Sequence, residues 1–389
     1  MLNFDFYSPT FFAFGEGEES RTGELVRRFG GSRVLLHYGG GSIMKNGVYD
    51  AVTASLKAAE IPFVELGGVA PNPRSGLVYE GIELARRENV DFVLAVGGGS
   101  AIDSAKAIAI GVPYEGDFWD FFSKKVSAKK TLPVGTVLTI PAAGSEGSNS
   151  AVVTHEDGDL KWGAAGDILR PKFAILNPKF SCSLPPYQTA CGITDMMAHI
   201  CERYFTNTPD VEITDRICEG LLKTIVEAAR GVMANPLDLP ARANLMWAGT
   251  LAHNNSCGVG RAQDWASHQI EHELSAVYDC AHGAGLAVIV PAWMSFVAGH
   301  DIMRFAQFAV NVWGCELDFS NPEKTAREGI EKFRSFLIEI GMPVTLSQLG
   351  AKEEDIPMIL QRRHKRGYPF GGFVTIGEKE MEEILRLSR

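Results

Sequence analysis

The sequence predicts an α/β domain with a parallel sheet, followed by an all-helical domain. Over residues 1–180, short apolar runs alternate with helical patterns, which is typical of βαβ units. Over residues 181–389 the pattern changes to long helical periodicity with few strand-like runs, and Pro185 and Pro186 mark the change. We therefore expect two domains divided near residue 180, with the active site in the cleft between them.

Five apolar runs in the first half have the length and composition of buried parallel strands. They are residues 34–37, 63–66, 92–96, 137–140 and 173–176. Helical spacing of apolar residues predicts helices over 47–59, 76–87, 101–110, 219–234, 241–253 and 325–340. A hairpin is expected within 151–163, because Asp157 and Gly158 stand between two short runs.

Composition and charge argue against several classes of partner. The 37 Lys and Arg against 47 Asp and Glu give a net charge of −10, which repels nucleic acid and anionic lipid. The basic cluster at 362–366 is expected to be a solvated helix face. The apolar stretch at 283–299 contains Pro291 and is shorter than the roughly 20 residues of a membrane helix. We expect neither a nucleic acid nor a membrane partner.

The cysteines and the N-terminal segment both favour the cytoplasm. The seven cysteines include no CxxC pair and are scattered along the chain, as expected for free thiols in a reducing compartment. The first residues are acidic and aromatic, whereas a signal peptide has a basic region followed by an apolar one.

A glycine run follows the strand predicted at 92–96. Gly97, Gly98, Gly99 and Ser100 lead into a helix that contains Asp103. Such a turn lets backbone N–H groups approach an anion, and the helix N-terminus adds a favourable partial charge. The run predicts a pyrophosphate site, with a tight strand-to-helix connection as the alternative; it lacks the GxGxxG pattern of the Rossmann fingerprint.

A second glycine run, Gly39, Gly40 and Gly41 followed by Ser42, comes after the first predicted strand. NAD-binding folds often place a carboxylate here to bind the ribose 2′-hydroxyl. This chain has none at that point, and Ser42 and Lys45 are available to a 2′-phosphate. The run favours NADP(H), with NAD(H) as the other possibility and a plain surface turn as the structural alternative.

Carboxylate and imidazole side chains recur at helical spacing in the second half. Asp195 and His199 are four residues apart, His268 and His272 are also four apart, and His282 follows. Residues at i and i+4 share one face of a helix. Three imidazoles with a carboxylate suit a first-row divalent metal, so this set predicts a metal site. A lone histidine would more simply be a core residue.

The chain resembles the iron-containing (group III) alcohol dehydrogenases, most closely their butanol dehydrogenase and broad-range aldehyde reductase branch. The resemblance covers nearly the whole chain. The motifs that carry it are PNP (71–73), GGGSAIDSAK (97–106), TIPAAGSEGSNS (139–150), TDMMAH (194–199), and DWASHQIEHELSA with AHGAGLAV within 264–288.

The resemblance implies a role for each matching residue. One divalent metal, iron(II) or zinc, would be bound by Asp195, His199, His268 and His282. The catalytic residue near the nicotinamide and substrate would be His272. The dinucleotide would contact the glycine runs and the residues Ser100, Asp103, Asn72, Thr139, Asn149 and Lys161. Two positions depart from the family pattern, since Gly39 replaces a frequent Asp and Ala143 a frequent Thr.

The expected activity is hydride transfer between NAD(P) and a small primary alcohol or aldehyde such as butanol or butanal. The alternatives are a polyol dehydrogenase and a metal- and NAD-dependent lyase of the dehydroquinate synthase type. The lyase would need basic residues for a phosphate and a carboxylate, and residues 264–293 contain no Lys or Arg. A structural metal-binding protein would leave the glycine runs unexplained. We expect a homodimer in which the aromatic segment 4–14 pairs as an edge strand with the second subunit.

Overall fold

The computed structural model describes residues 1–158 and 160–389. The chain forms two compact units. The sheet unit contains Tyr7–Leu184 and Pro236–Asn254. The helical unit contains Met1–Phe6, Pro185–Asn235 and Asn255–Arg389. The sheet unit therefore consists of two chain segments and the helical unit of three, whereas the sequence predicts one division near residue 180.

Strands in the described residues belong to one sheet and one hairpin. In chain order they are β1 (Phe11–Phe14), β2 (Val34–Tyr38), β3 (Phe63–Leu66), β4 (Phe92–Gly97), β5 (Val134–Leu138), β6 (Ser150–His155), β7 (Leu160–Ala165) and β8 (Phe173–Leu176). The sheet is parallel throughout, in the order β1-β8-β5-β4-β2-β3. The predicted hairpin is confirmed as β6 and β7, which pair antiparallel.

The α-helices of the described residues are α1 (Thr22–Arg28), α2 (Ser42–Lys45), α3 (Val48–Ala58), α4 (Ser75–Arg87), α5 (Gly99–Gly111), α6 (Trp119–Phe122), α7 (Pro186–Tyr204), α8 (Glu212–Ala234), α9 (Leu239–His253), α10 (Ala266–Tyr278), α11 (His282–Val297), α12 (Ile302–Trp313), α13 (Pro322–Glu339), α14 (Ile356–His364) and α15 (Glu378–Leu387). The predicted α/β half followed by a helical half is confirmed. Only α9 returns from the second half of the chain to the sheet unit.

Both faces of the sheet are buried, as the apolar strand sequences require. In β4, Val93 and Ala95 belong to one core cluster, whereas Leu94 and Val96 belong to the other. This alternation follows the two-residue period of a strand. The sheet unit therefore has a three-layer arrangement of helices, sheet and helices.

The strand order places a topological switch between β2 and β4. From β2 the chain moves to its neighbour β3 on one side, and it then returns to β4 on the other side of β2. Ligands of open α/β sheets bind at the carboxyl ends of the strands where the order reverses in this way. The two glycine runs follow these two strands, so they meet at the switch point.

The predicted strand at 137–140 lies earlier in the structure, at Val134–Leu138. Thr139 is the first residue past the strand, and its N–H donates to the carbonyl of Gly97 at 3.0 Å. Thr139 therefore belongs to the loop beside the first glycine run.

The aromatic N-terminal segment supplies β1, the edge strand of the sheet, and its pairing with a second subunit stays a prediction. Phe11 is in register with Phe173 of β8, and β1 forms the edge of the sheet. The Phe12 ring packs edge-on against Trp247 of α9 at 5.4 Å, and the Arg28 guanidinium lies 4.3 Å from the Phe11 ring centroid. These contacts hold one side of β1 against its own sheet unit.

Among the described residues, one helical stretch is long and apolar enough to cross a membrane by length and composition. It spans His282–His300, with a mean hydropathy of 1.4. Inside the protein, 72% of it is buried, which is the property of a core helix. Burial within the helical unit therefore accounts for its composition.

A buried histidine connects β2, β3 and α5. His37 is fully buried, with Nδ1 2.8 Å from the carbonyl oxygen of Leu66 and Nε2 2.8 Å from Oγ of Ser104. Because a carbonyl only accepts, Nδ1 carries the proton and Nε2 accepts from the hydroxyl. Burial lowers the pKa of His37 to about 4, although the hydrogen bond to Leu66 opposes the shift.

Replacing His37 tests this connection through the pH dependence of stability. The unfolded chain protonates His37 below about pH 6.5 but the folded chain only below about pH 4, so the free energy of unfolding falls as the pH drops through this range. The effect corresponds to about 3 kcal/mol. We expect His37→Gln to reduce this acid-dependent loss in urea unfolding, whereas the exposed His364→Gln should not. Equal pH slopes in all three proteins would contradict the assignment.

Candidate functional site

Three helices of the helical unit bring a carboxylate and two imidazoles together. Asp195 lies on α7, His268 on α10, and His282 is the first residue of α11. Ligand atoms of these three residues all lie within 4.8 Å of one another. Nε2 of each histidine is 3.7 Å from Oδ1 of Asp195. The spacing leaves room for a cation between groups too far apart to hydrogen bond.

The fourth predicted ligand, His199, lies beside this group. It is one turn after Asp195 on α7, and its Nδ1 is 3.6 Å from Oδ1 of Asp195. Its ring stacks on that of His268 at a centroid distance of 4.6 Å. The structure therefore gathers all four predicted ligands, with His199 at the edge of the tight group.

Two glycines of the AHGAGLAV motif allow the helices to approach. A Cβ on Gly283 would lie 2.1 Å from the carbonyl oxygen of Cys191 on α7. A Cβ on Gly285 would lie 2.7 Å from Cγ of Glu271 on α10. The start of α11 thus packs against both neighbouring helices at distances that no side chain allows. This packing places His282 opposite Asp195.

Two buried glutamates hold the ligand histidines. Glu202 accepts from Nδ1 of His268 at 2.5 Å and from its backbone N–H at 3.0 Å. Glu271 accepts from Nδ1 of His282. Carboxylate partners of this kind orient metal-binding histidines and fix their tautomer. Neither glutamate is evident from the sequence motifs alone. Each stands three residues after a predicted ligand, His199 or His268, and this spacing is the signal that would have found them.

The electrostatics of the group favour a bound cation. Burial alone would lower the pKa of His268, but the carboxylates of Glu202 and Asp195 raise it to about 10. Oδ1 of Asp195 and Nε2 of His268 are buried and have no hydrogen-bond partner among the described residues. Such atoms are costly unless something binds them. The donor set of imidazole nitrogens and a carboxylate oxygen fits a first-row divalent metal.

The four predicted metal ligands, Asp195, His199, His268 and His282, are together called the metal group. The predicted catalytic residue, His272, lies next to them. Its ring centroid is 5.7 Å from that of His282 and 6.4 Å from that of His268. Its Nδ1 is 3.3 Å from Nη1 of Arg366. His272 is partly exposed, as is His282, whereas Asp195, His199 and His268 are buried.

Arg366 and Arg363 correct the interpretation of the basic cluster as a solvated helix face. Arg363 is buried, donates to Gln269 on α10 at 2.8 Å and lies 4.2 Å from the Phe370 ring centroid. Nε of Arg366 is 3.1 Å from a carboxylate oxygen of Glu273. Charge density in the sequence cannot distinguish a solvated cation from one that is paired in the interior. Two of the five basic residues therefore pack against α10, the helix that carries His268 and His272.

In the sheet unit, the first glycine run forms the start of α5. Gly98 precedes the helix in an extended conformation, and a Cβ there would lie 2.9 Å from Cβ of Ile140. A Cβ on Gly99 would lie 3.3 Å from that of Ala143. The glycines thus keep open the backbone at a helix N-terminus, which suits a pyrophosphate.

Asp103 and Lys106 connect this motif to the loop 139–150. Asp103 accepts from the hydroxyl of Ser145 at 2.5 Å and from the N–H of Val152 at 2.9 Å. The buried Lys106 ammonium donates to backbone and hydroxyl oxygens of Ser145 and Ser148 at 2.7–3.2 Å. Burial lowers the pKa of Lys106 to about 8, although the negative charges of Asp103 and Glu146 act to raise it. Asp103, predicted to bind the dinucleotide, thus anchors the loop.

The remaining predicted cofactor residues lie on loops that follow the sheet strands or on the hairpin. Gly39 follows β2, its carbonyl accepts from Gly68 at 2.9 Å, and Gly40, Gly41 and Ser42 continue into α2. Asn72 is left-handed, with φ of 54°. The next residue, Pro73, accepts from Thr154 at 2.8 Å, and Thr154 is in register with Lys161. The structure thereby brings the Asn72 loop to the hairpin strand that carries Lys161.

Asn149 and Ser100 are at the ends of the two motif loops. Asn149 precedes β6, and its side-chain amide donates to Asp167 at 3.5 Å. Ser100 is the second residue of α5. Both residues therefore border loops at the carboxyl ends of β4 and β5.

Two family models together match most of the chain. The model described as iron-containing alcohol dehydrogenase matches residues 9–178. The model described as the C-terminal part of the Fe-containing alcohol dehydrogenase family matches residues 189–388. The metal group falls within the second match and the glycine runs within the first.

Known proteins resemble the chain over its full length. It is 41% identical over 390 residues to NADH-dependent butanol dehydrogenase A of Clostridium acetobutylicum, covering 100% of both. It is 35% identical over 372 residues to NADPH-dependent aldehyde reductase YqhD of Escherichia coli, covering 94% of both. The crystal structure of NADH-dependent butanol dehydrogenase A from Thermotoga maritima superposes with a TM-score of 0.97 at 42% identity, covering 100% of this chain and 99% of the other.

Substituting Gly283 tests whether helix packing builds the metal group. We expect Gly283→Ala to displace α11 from α7, because the added Cβ would overlap the carbonyl of Cys191. The variant should lose most of its divalent metal binding and about 1–3 kcal/mol of stability, the usual cost of overpacking. Gly220→Ala is the matched control: Gly220 is an exposed glycine of α8 with open space around it. Titration with zinc and urea unfolding measure both effects, and normal zinc affinity in Gly283→Ala would refute this account.

Proposed function

Because the chain belongs to the iron-containing alcohol dehydrogenase family, we propose that it interconverts small alcohols and aldehydes at a divalent metal, with NAD(P)(H) as hydride carrier. The observation that carries the proposal is the convergence of Asp195, His268 and His282, with His199 alongside, around buried atoms that have no hydrogen-bond partner among the described residues. The chain is thus an oxidoreductase of alcohols and aldehydes, as its relatives are named.

Four side chains would hold the metal, which we propose to be iron(II), with zinc as an alternative: Asp195, His199, His268 and His282. When bound, the metal supplies Lewis-acid polarisation of the substrate oxygen. Glu202 and Glu271 orient two of the imidazoles, so that Nε2 of each faces Asp195. Little reorganisation is then needed when the metal binds.

The sheet unit would bind the dinucleotide at its switch point. The backbone at Gly98, Gly99 and Ser100 suits the pyrophosphate, as a helix N-terminus preceded by glycines. The contacts of Asp103 and Lys106 hold the neighbouring loop in place. When bound, the nicotinamide supplies or accepts the hydride.

We propose a short, weakly polar substrate of the size of butanal. The polar groups near His272 are already engaged, since the Arg366 guanidinium pairs with Glu273 at 3.1 Å. The Trp265 ring covers the ligands, at 5.4 Å from His268 and 5.9 Å from His199. An anionic substrate would have to compete with Glu273 for the only arginine shown to contact His272 in the described residues.

We also propose that the protein is a cytoplasmic homodimer. Free thiols support the cytoplasm, because all seven cysteines are unbridged. Exposed apolar side chains near the N-terminus support a second copy, since Leu2, Phe4 and Tyr7 are each about half exposed. A sedimentation measurement would test the dimer.

Removing one ligand tests the metal assignment. We expect Asp195→Ala or His268→Ala to lose metal and activity, because one of four ligands carries on the order of several kcal/mol of binding free energy. Nucleotide binding in the sheet unit should remain. His364→Ala, which alters an exposed histidine, is the control. Elemental analysis that finds full metal content in the ligand variants would refute the site.

Cofactor preference is proposed to favour NADP(H) over NAD(H). The support is that Gly39 follows β2 where a ribose-binding carboxylate often stands, and that Ser42 and Lys45 of α2 are nearby in the chain. The relatives named above include both NADH-dependent and NADPH-dependent enzymes, so the preference needs a direct test.

Introducing the missing carboxylate tests this preference. Residue 39 has room for a side chain, since a Cβ would lie 3.4 Å from the carbonyl oxygen of Val69. We expect Gly39→Asp to lower kcat/KM for NADPH at least tenfold, because a like charge would face the 2′-phosphate. Gly39→Asn has the same shape without the charge and should change less. A wild type that prefers NADH, or an unchanged NADPH efficiency in Gly39→Asp, would refute the assignment.

A further inference from the structure

Three histidines of the metal region differ in what their Nδ1 atoms contact. Nδ1 of His268 faces the carboxylate of Glu202, and Nδ1 of His282 faces the carboxylate of Glu271. Nδ1 of His272 instead faces the guanidinium of Arg366, at 3.3 Å. Two of the rings therefore meet an acceptor at this atom, whereas the third meets a donor.

The partner decides which ring nitrogen carries the proton. A carboxylate accepts, so Nδ1 of His268 and of His282 carries a proton, and Nε2 is the atom left to bind a metal. A guanidinium only donates, so Nδ1 of His272 must offer its lone pair. The proton of neutral His272 is then on Nε2. Among these three rings, the outer contacts thus leave Nε2 of His268 and of His282 available to a metal and place a proton on Nε2 of His272.

We infer that Arg366 is a positioning residue, which fixes His272 in the Nε2–H tautomer and makes it a hydrogen-bond donor to the substrate oxygen. Its catalytic meaning rests on the proposed alcohol and aldehyde chemistry. With the proton on Nε2, His272 presents a donor to an oxygen lone pair and cannot accept a proton at that atom. Its role is therefore to orient and polarise the substrate oxygen.

Arg366 is itself held in place. It lies in the turn after α14, where its backbone N–H donates to the carbonyl of Arg363 at 2.9 Å. Its side chain is 14% exposed, and its Nε is 3.1 Å from the buried carboxylate of Glu273 on α10. Glu273 follows His272 directly, so the ion pair anchors the guanidinium to the helix that carries the imidazole. The guanidinium of Arg366 is therefore fixed relative to Nδ1 of His272.

Nitrogen NMR of histidine-labelled protein tests the inference without any catalytic assay. We would record long-range proton–nitrogen correlations of the metal-free protein at about pH 8, above the usual imidazole pKa, and assign His272 from the signal lost in His272→Gln. The wild type should show His272 protonated on Nε2. In Arg366→Met the Nδ1–H tautomer should become populated, whereas Arg366→Lys, which retains a donor, should keep Nε2–H. Lys365→Met, an exposed neighbour, is the charge control.

Two results would overturn the inference: His272 protonated on Nδ1 in the wild type, or an unchanged tautomer in Arg366→Met. The wild-type spectrum tests the tautomer of His272 even if a variant fails to fold. Kinetics separate the tautomer from the proposed function. We expect Arg366→Met to lower kcat for butanal reduction at least tenfold, with cofactor KM and metal content unchanged and partial recovery in Arg366→Lys. An Nε2–H tautomer in a protein inactive on every alcohol and aldehyde would retain the positioning role and refute the proposed function.

Discussion

The close packing of α11 against α7 and α10 is the constraint on which the metal group depends. Because Gly283 and Gly285 have no side chains, the start of α11 can lie against the Cys191 carbonyl and the Glu271 side chain at the same time. That position places His282 opposite Asp195 and within reach of Glu271. The buried carboxylate of Asp195 and the imidazoles of His268 and His282 then face one another across a gap suited to a cation. Backbone geometry therefore brings the proposed metal ligands together, and the glutamates orient two of them.

In the sheet unit, too, backbone geometry forms the candidate site and buried charged residues hold its surroundings in place. The strand order sets the switch point, and glycines keep the helix N-terminus open there. Asp103 and Lys106 lie on the same helix, but their contacts go to the loop 139–150. The motif at 97–106 thus combines glycines that suit a ligand with two residues, Asp103 and Lys106, that stabilise the neighbouring loop. In both units, buried charges organise the groups that would meet the ligands.

Local patterns in the sequence predicted much of this arrangement, and long-range contacts account for the rest. Alternating burial and i, i+4 spacing are local properties, so strands such as β4 and the pair Asp195 and His199 could be identified directly. The partners Glu202 and Arg366 could not, because their importance depends on which helices cross. The contact of β1 with Trp247, which lies on a helix far along the chain, is likewise invisible to local patterns. Burial of Arg363 likewise depends on tertiary packing.

Iron K-edge X-ray absorption of the protein reconstituted with iron(II) tests the assignment of the four metal ligands. We expect only nitrogen and oxygen atoms bound directly to the iron, with the more distant scattering of three imidazoles. Cys191 lies one helical turn before Asp195, with its pKa raised to about 11 mainly by burial. A sulfur atom in the first shell, or an iron that does not stay bound, would contradict the assignment of Asp195, His199, His268 and His282 as the metal ligands.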